Sequence, residues 1–60
     1  MFLKVSQLQG MEMIINTEGV CYIYYNAGIN AYDVFFANGE KYQFNKAEMQ
    51  KICNAMGVSL

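Results

Sequence analysis

The titratable side chains of this sequence are five carboxylates, four lysines, five tyrosines and two cysteines, with no His and no Arg. That set is poorly suited to catalysis, because the commonest general base and the commonest clamp for a developing oxyanion are both missing. The carboxylates read as structural. Glu12 and Asp33 fall on solvent-facing positions of strand-like stretches, Glu40 flanks a turn, and Glu48 lies three residues after Asn45, where it would partner a helix cap. Cys21, between Val20 and Tyr22, has no base or helix N-terminus in view to lower its pKa. Cys21 and Cys53 lack C-x-x-C spacing, and no His could complete a site, so neither a metal nor another cofactor is expected. The stretch "GVCYIYYNAG" has neither the spacing nor the Lys-Ser/Thr ending of a phosphate loop. The sequence therefore predicts a protein that is not an enzyme.

Its aromatics suggest binding instead. In "VCYIYY" one alternating set is Val20, Tyr22 and Tyr24 and the other is Cys21, Ile23 and Tyr25. If the second set faces the core, Tyr22 and Tyr24 stand outside near Phe35, with Lys41 on the same outward face. Such a patch has the composition of a protein interface. Two other uses of the rings compete: burial of both faces against a second protomer, and stacking of single-stranded nucleic acid. The absence of Arg and the scatter of the four lysines disfavour nucleic acid.

The elements that must position these residues are marked by Gly and Asn, since the chain has no Pro. "FLKVSQL" and "MEMIIN" alternate with a period near two and are joined at Gln9-Gly10, giving two strands; Val20–Tyr25 gives a third. Residues 32–37 and 40–44 give the fourth and fifth, around Asn38-Gly39. A two-residue loop there would pair Phe36 with Lys41 and mix apolar with polar side chains on one face. A three-residue loop with a bulge at Gly39 pairs Val34 with Tyr42 and Tyr32 with Phe44 instead, gathering the apolar residues on one side. The hydrophobic pattern selects the three-residue loop.

After Phe44 the period changes. Asn45 as N-cap, Glu48 at N3, apolar Met49, Ile52, Cys53 and Met56, and Gly57 beyond the end predict a helix over 46–56. Val58 and Leu60 offer two further apolar side chains for docking. The fold class expected is α+β, mainly β: one small domain over residues 1–60, with a bent antiparallel sheet of about five strands, or a barrel-like meander, and one C-terminal helix.

A domain of this size buries only about 60% of the surface its unfolded chain exposes. With 55% apolar and 15% charged residues, little polar surface remains to cover a monomer, so a homo-oligomer or an obligate protein partner is expected. Cys21 and Cys53 read as small buried hydrophobes. Lys4, Ser6, Gln7 and Gln9 interrupt any leader-like apolar run, and no stretch approaches the length of a membrane span, so a cytoplasmic protein is expected.

The order "LKVSQLQGMEMIIN", a short strand, then "YDVFFANGEKYQF" and an amphipathic end resembles the FlbD family of short bacterial proteins associated with flagellar and swarming motility. The matching positions are Leu8, Gly10, Ile15, Asn16, Val20, Ile23, Val34, Asn38, Gly39 and Tyr42, covering roughly residues 2 to 44. The resemblance implies an accessory role and carries no catalytic residue. The layout is also similar to that of the carbon storage regulator family, which implies an intertwined dimer as a possible shape, without that family's basic RNA-binding residues. The function expected is a non-catalytic protein-binding, regulatory module acting as a homo-oligomer. The alternatives are a phage-type inhibitor docking on a host defence enzyme and an oligomer that sequesters a small nucleotide.

Overall fold

The computed structural model describes residues 1–60 as β1 (Phe2–Ser6), β2 (Glu12–Asn16), a 3₁₀ turn (Thr17–Gly19), β3 (Val20–Asn26), β4 (Ala31–Phe36), β5 (Lys41–Phe44) and α1 (Lys46–Met56). All strand pairs are antiparallel, and the class is α+β, mainly β. The strands divide between two sheets, β1-β2 and β3-β4-β5, with no closed barrel.

In the first sheet the alternation of the sequence decides the faces. Leu3 pairs with Ile15 and Val5 with Met13, all turned inward, while Phe2, Lys4, Ile14 and Asn16 turn outward. In the second, Gly39 adopts φ +90°, Phe36 N–H donates to the Glu40 carbonyl at 2.9 Å, and Val34 pairs with Tyr42 and Tyr32 with Phe44. This is the register of the three-residue loop.

Strand β3 departs from strict alternation. Val20 pairs with Phe36 and Tyr22 with Phe35, so the register slips at Cys21. The extra residue of this bulge lets Val20 and Ile23 both pack against the core, although they belong to opposite sets of a regular strand. It also leaves Cys21 exposed, correcting its expected burial, whereas Cys53 is buried; both thiols are free.

The helix begins where Asn45 Oδ1 accepts from Glu48 N–H at 2.9 Å and ends at Gly57, φ +76°. Glu48 does not complete a reciprocal capping box. Its Oε1 accepts from Ser6 N–H at 2.8 Å and pairs with Lys51 Nζ at 2.8 Å, so it ties α1 to β1. The helix buries Met49, Ile52 and Cys53 against Val5, Ile15, Val34 and Phe44, making one cluster from both sheets. A second tie is the bond from Leu8 N–H in the first hairpin loop to the Gln43 carbonyl of β5, 2.7 Å. Val58 and Leu60 stay exposed and do not dock.

Candidate functional site

Because Val34, Tyr42 and Phe44 point inward, the alternate residues of the same strands form an outer face of two cross-strand rows. Tyr22, Phe35 and Lys41 make one; Tyr24, Asp33 and Gln43 make the other. All four residues expected at the site are therefore brought together. Tyr22 stacks on Phe35 with ring centroids 4.6 Å apart and 23° between planes. Tyr24 meets both edge-on, 5.4 Å from Tyr22 and 5.8 Å from Phe35. Lys41 Nζ lies 6.0 Å from the Phe35 centroid, at the outer limit of a cation–π contact. Tyr22 and Tyr24 remain 51% and 60% exposed, so the cluster is ordered by its own contacts without being covered.

Beside the rings lies a polar group that the sequence pattern misplaced. Asp33 is on the outer face as expected, yet it is buried. Gln43 Nε2 donates to its Oδ1 at 2.9 Å and Asn26 Nδ2 to its Oδ2 at 3.1 Å. The Gln43 hydrogen bond holds the carboxyl below its ordinary value of 3.8; the Asn26 bond and the Lys41 charge add to this, and burial opposes it. The signal that finds this group is the hairpin register itself, which sets Gln43 opposite Asp33. The arrangement offers ring faces, two phenolic hydroxyls and one ammonium over a pinned polar base. It can bind by surface complementarity.

Two concavities lie elsewhere. One, of about 340 Å³, is a mainly apolar groove between β2 and the β4–β5 turn, lined by residues including Met13, Ile15, Phe36 and Tyr42. The other, of about 370 Å³, is a polar hollow formed by Tyr25, Asn30, Tyr32 and Lys46, in which Tyr25 donates to Asn30 Oδ1. No cluster of three or more His, Cys, Asp or Glu side chains could hold a metal. No helix is long and apolar enough to cross a membrane. Comparison with protein-family models, with curated proteins and with solved structures found no match.

Proposed function

We propose that the chain is a non-catalytic protein-binding module, an accessory or regulatory component that works as a homo-oligomer in the cytoplasm and engages a protein partner through Tyr22, Tyr24, Phe35 and Lys41. The observation that carries this reading is the three-ring cluster, held in mutual contact on a sheet face yet left open to solvent. Large, ordered aromatics give contact area with little side-chain entropy left to lose, which is why Tyr is enriched in binding surfaces. A face with a single lysine and no arginine gives a phosphate backbone little to hold. The resemblance of residues 2 to 44 to the FlbD family supports the same accessory role.

The test is Tyr24→Ala in affinity capture with cross-linking, alongside circular dichroism and native mass. The expected outcome is loss of the captured partner with unchanged spectrum and assembly. Dissociation of the oligomer instead would mean that the rings join subunits, and the reading would fall. A capture result consisting of one nuclease or other defence enzyme would turn the module into the inhibitor alternative. The polar hollow at Tyr25, Asn30, Tyr32 and Lys46 favours a second reading, sequestration of a small nucleotide. Calorimetry with nucleotides, and its loss in Lys46→Ala, separates that reading from the first.

A further inference from the structure

The four outer strand edges of the two sheets are not equivalent. β1 faces α1, whose Glu48 takes the Ser6 N–H. β5 receives the Leu8 N–H on its Gln43 carbonyl. β3 begins with the slip at Cys21 and runs regularly from Tyr22 to Asn26. β2 is regular over its whole length, with Glu12, Ile14 and Asn16 exposed.

The hydrogen-bond phase of the hairpin shows which backbone groups β2 offers. Gln7 N–H donates to the Met11 carbonyl and Thr17 N–H to the Met1 carbonyl, so the odd-numbered residues of this strand turn their polar groups toward β1. In an antiparallel ladder the intervening residues turn theirs away. Glu12 and Ile14 therefore present their N–H and C=O groups outward together with the Asn16 N–H, while the Asn16 carbonyl opens the 3₁₀ turn; sheet proteins normally cover such an edge.

We infer that β2 is the self-association edge of this protein: β2 of a second copy pairs with it antiparallel, about a two-fold axis at Ile14, joining two hairpins into one four-stranded sheet. This rests on the homo-oligomer reading above and names its surface. Three features select a second copy as the occupant. First, with Ile14 opposite Ile14, Glu12 falls opposite Asn16, so the two Ile14 residues exchange both of their bonds and each Asn16 N–H meets a Glu12 carbonyl. Moving the axis to Met13 or Ile15 leaves Asn16 or Glu12 outside the mutual ladder. Second, that register sets Glu12 opposite Asn16, whereas the Ile15 axis sets it opposite Glu18, a like charge. Third, it sets Met13 opposite Ile15 on the inner side, extending the Val5–Met13 and Leu3–Ile15 pairs into rows of four apolar residues. These rows lie over the groove, where Met13, Phe36 and Tyr42 are only half-buried. An isologous contact of this kind needs one self-complementary patch, and a lone two-stranded hairpin gains most from it. The aromatic face, on the other sheet, stays free for its partner.

The experiment is a dilution series of sedimentation velocity on the wild type and on Ile14→Lys, with folding followed by circular dichroism. The expected result is a wild-type dimer and an Ile14→Lys monomer of unchanged spectrum, with dimer affinity reduced about 30-fold or more, the size of a hot-spot loss. Should Ile14→Lys not fold, Ile14→Cys in a Cys21→Ser background decides. Facing residues of a hydrogen-bonded pair have Cα atoms about 5.5 Å apart, within disulfide reach, so mild oxidation gives a covalent dimer, and Glu12→Cys does not. A wild type that is monomeric at all concentrations overturns the homo-oligomer reading and this inference with it. A dimer that survives Ile14→Lys, or fails to cross-link at Ile14→Cys, keeps the homo-oligomer and overturns the edge.

Discussion

The two sheets both leave apolar surface in solvent, and they do so differently. On the β3–β4–β5 sheet the exposed residues are aromatic, touch one another, and stand beside a carboxylate fixed by two amides. On the β1–β2 sheet the exposed residues are Phe2 and Ile14, with only the long, solvent-exposed Lys4–Glu12 pair beside them, 3.8 Å. The β3–β4–β5 sheet thus displays side chains whose geometry is already set, and the β1–β2 sheet displays backbone. Side-chain surfaces distinguish one partner from another, whereas backbone edges pair with any strand of suitable pattern and need register to discriminate. A small domain can in this way keep recognition and assembly on separate surfaces.

The contrast depends on the two sheets sharing one core, and the most direct way to break it is Phe44→Ala. Phe44 is fully buried in the cluster that joins both sheets to α1. Loss of a buried Phe costs about 3–5 kcal/mol, against a total of about 5–15 for a typical domain. Both sheets should unfold in a single transition at much lower urea; a variant in which the β1–β2 hairpin melts separately would show that the sheets are independent.

Glu48→Gln tests the tie between helix and first sheet more gently. It weakens a charge-assisted bond to Ser6 N–H, at a cost of about 1.5 kcal/mol. The exposed part of the Lys51 pairing adds little. The hydrogen bond to Lys51, with the Ser6 bond and the Lys51 charge, holds the Glu48 carboxyl below its ordinary value of 4.5 against the opposing effect of burial. A depressed folded pKa contributes stability that is complete above the unfolded value and is lost as pH falls through the folded one. The wild-type urea midpoint should therefore fall as pH drops below the ordinary carboxyl value of 4.5, and the fall should shrink in Glu48→Gln. Asp33, held below 3.8 chiefly by its Gln43 bond, adds a further loss as pH falls through that value and lower, which Asp33→Asn removes.

The smallest effect is expected at Gly39→Ala, which sharpens the comparison within the second sheet. At φ +90° with nothing within 4 Å of an added Cβ, the cost is backbone strain alone, about 1 kcal/mol. The midpoint should fall slightly, with Tyr22–Phe35 stacking retained in near-ultraviolet circular dichroism. Loss of that signal would show that the aromatic face depends on the turn.

Those elements were legible where one local rule had no rival. The hairpin at Asn38-Gly39 could be registered because its apolar residues fit one face in only one of two loops, and α1 because cap, stripe and terminal Gly agree. Strand β3 defeated the same reasoning. Tyr and Cys tolerate either face, and a bulge costs a pattern only one residue, so neither alternating set of "VCYIYY" was wholly inside. The reach of Glu48 to Ser6, 42 positions away, and the split into two sheets are tertiary facts that no local spacing encodes. The shared outer face of Tyr22, Tyr24, Phe35 and Lys41 was legible from period and register. The burial of Asp33 was not, because an acidic residue on an outer face ordinarily meets water.

The slip at Cys21 bears on the limits of growth. A chain with two regular free edges can add copies at both without end, which is how fibres extend. Here one edge is occupied by a helix and one by a loop, and the inserted residue at Cys21 shortens the regular run of a third to Tyr22–Asn26. With two copies joined at β2 as proposed, that shortened edge of β3 is the template left for a further strand, and a bulge at its start is one of the devices by which sheet proteins blunt such an edge.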